Sequence, residues 1–354
     1  MSLTVVGVPG ERRVAAFTEA CRAAGLAAPP VVPWADVLLG RPLALAPGEP
    51  VRIESPGSDA ETDALLRGPG EPSRVGGGAA WYANFVRGLR RVAATGARLT
   101  CDTGEVAVMF DKRRCHARLD AAGVPVPVAL GPVTGYASLR AAMAAAGERR
   151  VFVKPPHGSS GSGVVALQTA PDRVKAVAPV TLTPDGPVNS LRLHTYDTEA
   201  EVAALIDALA PDGLHVERWL PKAAVGGRTF DLRVVVIAGE PTHVVVRTGT
   251  GPLTNLHLGN ARGDLAAVRD LLGAGWRRAL DVCAAAAACF PGTPMAGVDL
   301  LVGLRGQCAV GEVNAFGDLL PGLRGLPGTS AEGLDVYTAQ LRALGLLEEL
   351  PCPT

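Results

Sequence analysis

The stretch "AGVDLLVGLRGQCAVGEVNAFGD" (296–318) constrains the fold more than any other part of the chain. Two apolar runs flank Gly303–Leu304–Arg305–Gly306–Gln307, the pattern of two antiparallel strands joined by a turn. With Arg305–Gly306 as a two-residue turn, Leu304 pairs with Gln307, and counting outward sets Asp299 opposite Glu312. Directly opposed residues share a face, with Cβ atoms about 4.5–5.5 Å apart. Asn314 follows Glu312 by two and so lies on that face as well. By the same parity Cys308 joins them, where it reads as a packed thiol. Two carboxylates so placed repel each other, and a divalent cation relieves the repulsion. An Asp/Glu/Asn oxygen set with open positions suits magnesium, which keeps some waters and takes its other ligands from phosphates. The alternative is a register one residue off, with the acids fringing a solvated sheet.

A second stretch, "RRVFVKPPHGSSGSGVVAL" (149–167), runs from a short strand into a glycine–serine loop. Strand alternation puts Val151 and Val153 on one face and Phe152 and Lys154 on the other. Gly158, Gly161 and Gly163 let the backbone approach a ligand closely, and Ser159, Ser160 and Ser162 add hydroxyl donors. A lysine beside a nest of N–H groups is what a polyphosphate requires. The lysine precedes the glycines, so the spacing is not that of a Walker A loop. Taken alone, the stretch favours a solvated lysine before a surface turn. His157 is either a phosphate contact or incidental, and His257, between two leucines, reads as structural.

The chain has 354 residues, enough for two or three packed units, and no formal net charge, which removes any general attraction to nucleic acid or anionic lipid. No uninterrupted apolar run reaches the roughly 18 residues of a membrane span, and "MSLTVVGVPG" has no basic start ahead of an apolar signal core. The seven cysteines are scattered without CxxC spacing, so they read as reduced thiols of a cytoplasmic protein.

The expected organisation is α+β in three units. Residues 1–105 form a small α/β domain that opens with a strand (3–10) and a helix stopped at Gly25, includes a strand near 51–58 and carries an amphipathic helix at 76–94, with Trp81 and Tyr82 as packing residues. Residues 106–220 form a mixed lobe with a helix closed by Gly123, strand-like runs around 150, 165, 191 and 215, and one helix at 197–210. Residues 221–354 hold a hairpin over 230–249 turning at Ala238–Gly239–Glu240–Pro241, then one long helix ending at Phe290, then the two acidic strands.

The ordered set of motifs over about residues 105–320 resembles the ATP-grasp ligases, in particular the glutathione synthetase and ribosomal-protein glutamyl ligase branch. The resemblance rests on Asp111–Lys112 with Gly123–Val124–Pro125–Val126–Pro127, on Val153–Lys154–Pro155 and the loop through Gly163, on "VERWLPKA", "FDLRVVVIAGEP" and "TNLHLGN", and on Asp299, Glu312 and Asn314. It implies two α+β lobes clasping a nucleotide, preceded by a small parallel-sheet domain. It implies that Lys112, Lys154 and the loop Gly158–Ser159–Ser160–Gly161–Ser162–Gly163 contact the phosphates. Glu217, Arg218, Trp219 and Leu220 would form the adenine-contacting hinge, mainly through backbone groups, with Asp231 near the ribose. Arg233 and Arg247 would steady the charge on the transferred group, and Asn255 would lie beside phosphates and metal. Asp299, Glu312 and Asn314 would hold Mg2+, with Mn2+ as an alternative. Leu253 stands where those relatives carry an arginine, and "AFGD" follows Asn314 where they have "SPG". The implied activity is ATP-dependent joining of a carboxylate to an amine through an acyl phosphate, with small-molecule or peptide substrates and neither nucleic acid nor membrane as partner. A homo-oligomer stays open, as do an ATP-grasp phosphotransferase and a nucleotide-binding module without chemistry.

Overall fold

The computed structural model describes residues 3–57, 59–158, 161–317 and 320–347. Among them the strands form three sheets, one in each third of the chain. The first is parallel, in the order β2-β1-β3-β4, from β1 (Thr4–Gly7), β2 (Val31–Pro33), β3 (Pro50–Ile53) and β4 (Arg98–Leu99). Its strands are connected through α1 (Arg12–Ala23), α2 (Trp34–Leu38), α3 (Ala60–Arg67) and α4 (Gly78–Ala93). Glu11 caps α1 by accepting from the Arg13 N–H, and the chain leaves that helix through Gly25 at φ 74°, a conformation glycine adopts without Cβ strain. Parallel strands need covering on both faces, and the buried Val5, Val6, Val51 and Ile53 supply the apolar run this demands.

Next come α5 (Thr103–Met109), α6 (Lys112–Ala121) and α7 (Tyr136–Ala145), then an antiparallel sheet in the order β8-β7-β6-β5-β9. Its strands are β5 (Arg150–Lys154), β6 (Val165–Ala170), β7 (Arg173–Thr183), β8 (Gly186–Tyr196) and, after α8 (Glu199–Leu209), β9 (His215–Arg218). A capping box between Thr198 and Glu201 starts α8. One face of the sheet buries Val151, Val153, Val165 and Leu167 against Leu139 of α7 and Leu205 and Ile206 of α8. The opposite face, with Phe152 and Lys154, is left for the site.

The third sheet contains β10 (Ala224–Val225), β11 (Arg228–Ile237), β12 (Glu240–Gly249), β13 (Ala261–Arg262), β14 (Met295–Val302) and β15 (Cys308–Asn314). Helices α9 (Leu265–Leu272) and α10 (Gly275–Ala288) lie between β13 and β14, and α11 (Val336–Ala343) closes the described chain. Tyr337 and Leu341 of α11 pack with Phe17 and Val5 of the first unit, while Val336 and Ala339 pack on Val235 and Val245 of the third. The last helix thus ties the two ends of the molecule together.

Several expectations need correcting. The middle unit has two further elements, α7 and β7. The long helix before the acidic strands is two helices, broken at Gly273 with φ 48°. The β11–β12 turn is Ala238–Gly239 alone, both at positive φ, while Glu240 pairs with Ile237 and Pro241 with Val236 inside the sheet. The acidic hairpin turns through five residues rather than two: Gly303 N–H donates to the Gln307 carbonyl, and Val302 faces Cys308. A bulge at Gly311 then shifts the ladder by one, and Asp299 faces Glu312 after all. The same bulge breaks the parity between Cys308 and Glu312, so Cys308 lies on the core face with Val302 and Val310. No helix among the described residues is long and apolar enough to cross a membrane.

Candidate nucleotide and metal site

One face of the third sheet concentrates charge. Register places Arg262 beside Arg247, Arg247 beside Asp231, Arg233 beside Asp299, and Asp299 beside Glu312 across successive strands. Alternation alone puts these side chains on one surface, because each sits at an even step from the next. Asp299 accepts from Arg233 through both carboxylate oxygens, at 2.5 Å from Nε and 3.2 Å from Nη2, and from Arg247 Nη2 at 3.1 Å. Burial opposes its ionisation, but the two guanidiniums outweigh burial and hold the carboxyl below its ordinary value. Glu312 is paired with Lys112 Nζ at 2.9 Å. The repulsion inferred from the sequence is therefore relieved by three cationic side chains in the protein itself.

Asn314 Nδ2 donates to the Gly297 carbonyl at 3.1 Å, which fixes the amide and leaves Oδ1 as its acceptor. Among the described residues no three His, Cys, Asp or Glu side chains cluster closely enough to hold a metal. The expected set does not need such a cluster, since its third donor is an amide. Two carboxylates and an amide oxygen on one face are hard donors that fit Mg2+.

Asp231, expected near the ribose, is buried and serves as an internal counter-ion. It accepts from Arg247 Nε at 2.7 Å, from Lys222 Nζ at 2.9 Å and from the Thr254 hydroxyl. Burial again works against the charge, and Lys222 with Arg247 overcomes it, so the carboxyl is held well below the usual range. Lys222 and Thr254 were not singled out by the sequence. Lys222 follows a proline and is held by a single isolated bridge to Gly303, too short a paired segment for any periodicity to reveal which way the side chain points.

On the second sheet, Lys154 and Glu217 lie on the same face, because Lys154 pairs with His215 and Phe152 with Glu217. Lys154 Nζ forms an ion pair with Glu217, whose other oxygen lies 3.3 Å from His215 Nε2. Burial pushes the Glu217 carboxyl up, but Lys154 and His215 together bring it down to about 2. The Glu217 side chain is thus engaged within the protein, by Lys154 and His215. Its neighbour Arg218 turns outward to Glu148 and is half-exposed. Trp219 packs on Phe152 with ring centroids 5.1 Å apart, within an apolar cluster that also holds Val164, Ala166, Leu253 and Leu258. Leu220 follows, half-buried, in the loop to β10.

The glycine–serine loop leaves β5 through Pro155–Pro156. Ser159 and Ser160 lie outside the described residues. The Gly158 carbonyl accepts from Lys112 Nζ, the Ser162 hydroxyl accepts from Asn189 Nδ2 at 2.7 Å, and a Cβ on Gly161 would come within 3.3 Å of the Asn255 side chain. Asn255 is itself positioned by Asn260, whose amide donates to the Leu253 and Asn255 carbonyls.

A cleft of about 510 Å³ gathers one group of the expected residues. Lys112, Arg233, Asn255, Asp299, Glu312 and Asn314 all line it, along with Gly158 and Ser162 from the loop and part of the first unit. Lys154, Glu217, Trp219 and Asp231 do not line it; Trp219 packs in the separate apolar cluster with Leu253.

No protein-family model and no curated protein matches the sequence. Solved structures do match in fold. The ATP-grasp ligase PsnB complexed with a minimal precursor superposes with a TM-score of 0.56 at 18% identity, covering 98% of each chain. The D-cycloserine synthetase DcsG gives 0.58 at 20% identity, over 98% of this chain and 99% of that one. N5-carboxyaminoimidazole synthase from Aspergillus clavatus, in complex with ADP and 5-aminoimidazole ribonucleotide, gives 0.57 at 14% identity, over 99% of this chain and 78% of that one. At these identities the likeness establishes the fold, and the chain has the ATP-grasp fold.

Proposed function

We infer that the protein is an ATP- and Mg2+-dependent ligase that joins a carboxylate to an amine. The observation that carries this reading is the placement of Asp299, Glu312 and Asn314 on one sheet face, lining a cleft together with Lys112 and Gly158 of the glycine–serine loop. Structures of PsnB with Mg and ADP, and of carboxyaminoimidazole ribonucleotide synthase with ATP, support the assignment of nucleotide and metal. PsnB with its precursor peptide makes a peptide carboxylate or amine a reasonable substrate class here.

In this reading Asp299, Glu312 and Asn314 hold the metal, which when bound neutralises phosphate charge and so eases transfer of the γ-phosphoryl group. Lys112 lines the cleft and holds phosphate oxygens; Lys154, also assigned to phosphate, is held by Glu217 outside the cleft lining and reaches phosphate by leaving that ion pair. Arg233 and Arg247 bring positive charge to the transferred group from the floor of the sheet. The substrate carboxylate oxygen bonds to the γ-phosphorus as the bond to ADP breaks. The amine nitrogen then bonds to the acyl carbon, phosphate leaves, and the nitrogen loses a proton. Because the acyl phosphate hydrolyses in water, the loop before β6 serves by excluding solvent. The purine would be taken at the expected hinge, where Trp219 packs on Phe152.

The test is to incubate the protein with ATP, Mg2+ and pools of carboxylic acids and amines, and to follow ADP together with a product lighter by one water than its two precursors. ADP release that requires both acid and amine supports the ligase. ADP release with a stable phosphorylated product and no need for an amine identifies a phosphotransferase instead. Nucleotide binding without turnover in any pool leaves only the binding module.

A further inference from the structure

His157 stands at the entry to the glycine–serine loop, and its side chain is only 5% exposed. Its Nε2 lies 3.2 Å from Asp111 Oδ2, and since a carboxylate only accepts, that nitrogen carries the proton. The other ring nitrogen, Nδ1, is buried and has no partner. The ring therefore takes its polar anchoring from Asp111 alone. Its face is stacked on Tyr82 of α4, with centroids 4.1 Å apart and planes within 9°. Tyr82 is fixed in turn by donating to the Ala107 carbonyl and accepting from Arg114 of α6.

Asp111 is the N-cap of α6, accepting from the N–H groups of Arg113 and Arg114, and the first residue of that helix is Lys112. Two more contacts join the same short segments. Lys112 N–H donates to the Pro156 carbonyl at 2.9 Å, and Lys112 Nζ reaches the Gly158 carbonyl. Residues 156–158 are thus zipped to residues 111–112 by three consecutive contacts, and His157 provides the one that comes from a side chain of the loop segment.

We propose that His157 is a positioning residue that fixes the loop entry and Lys112 as one rigid unit, so that both groups meet phosphate with their relative geometry already set. The proposal rests on the nucleotide reading above. Lys112 has a long stem with several rotatable bonds, and orienting it in advance removes an ordering cost from each binding event. Because the unit holds phosphate equally before and during transfer, weakening it raises KM more than it lowers kcat.

The experiment compares wild type with His157→Leu, which keeps bulk but cannot bond Asp111, and His157→Gln, whose amide N–H can. Amide exchange at Lys112 and Gly158 is measured on the full chain without nucleotide, and KM for ATP and kcat are measured separately. The expected result for the leucine variant is at least tenfold faster exchange at Lys112 and about tenfold higher KM, with kcat within twofold and an unchanged melting profile elsewhere. The glutamine variant returns both to within threefold of wild type. Wild-type exchange in the leucine variant overturns the proposal, and so does a glutamine variant no better than leucine. The exchange measurement needs no nucleotide, so a wild-type protein indifferent to ATP would sink the functional reading while this test still gave its own answer.

Discussion

Asp299 faces Glu312 across β14 and β15 because Gly311 is an extra residue, bulged out of the ladder. Continued without a bulge, the pairing of Val302 with Cys308 would bring Gly311 opposite Asp299 and turn Glu312 to the other side. The bulge restores Glu312 to the cleft, where Lys112 reaches it, and leaves Asp299 between Arg233 and Arg247. A single irregularity in one strand therefore assembles the acidic pair.

The Lys154–Glu217 pair links the site to acid stability. Glu217 is fully buried and its carboxyl is held at about 2, below its ordinary value of 4.5. A depressed carboxylate stabilises the fold above its ordinary value, and the contribution disappears as pH falls from there through the folded value. We expect wild type to lose on the order of 3 kcal/mol from this group between about pH 4.5 and 2. Urea unfolding across that range, compared with Glu217→Gln, isolates the contribution from those of other acids. Parallel pH curves for the two proteins would contradict it.

Lys222 and Asp231 form a second buried pair, with Arg247 on the other carboxylate oxygen. Lys222→Met strips one cation from a buried charge and should cost on the order of 3 kcal/mol in chemical unfolding at pH 7. A loss below about 0.5 kcal/mol, the size of a surface substitution, would show that Asp231 is not held as described.

Gly163 closes the glycine–serine loop at φ 67°, and a Cβ there would lie 2.6 Å from Pro155 Cγ and 2.7 Å from Val75 Cγ1. Gly163→Ala should cost about 2–4 kcal/mol, from left-handed backbone strain plus forced displacement of two packed side chains. Gly123 is the control: its φ is 74° but no atom lies within 4 Å of a Cβ, so alanine there carries the backbone strain alone, about 1 kcal/mol. Melting temperatures of the two variants decide the matter, and equal losses would remove the packing argument.

Strand alternation made much of the site legible. It put Phe152 and Lys154 on one face and Asp299 and Glu312 opposite each other, because side-chain direction in a strand depends only on parity. It reached the second pairing by assuming a turn two residues long, and the bulge at Gly311 offset that error. Cys308 lies on the turn side of the bulge, so there the error was not offset. The missed elements have weak local signals. α7 begins after Gly135 with no side-chain cap and is largely alanine, so its apolar stripe does not stand out. β7 buries Val174, Ala176, Ala178 and Val180 on one face, but its alanines and Pro179 are poor strand formers, and tertiary packing overrides them. The ion pairs of Glu217 and Asp231 could not be read at all, since each depends on residues from different elements meeting in space.

The central claim is that Glu312, opposed to Asp299, holds the metal on which turnover depends. It is tested most directly by measuring ATP-dependent product formation with Glu312→Ala beside wild type at saturating Mg2+, with unfolding followed on both. The account predicts a loss of turnover of about a hundred- to a thousandfold, as expected when an electrostatic group acting on the transferring phosphoryl is removed, together with an intact fold. Turnover at the wild-type rate in the alanine variant would contradict it.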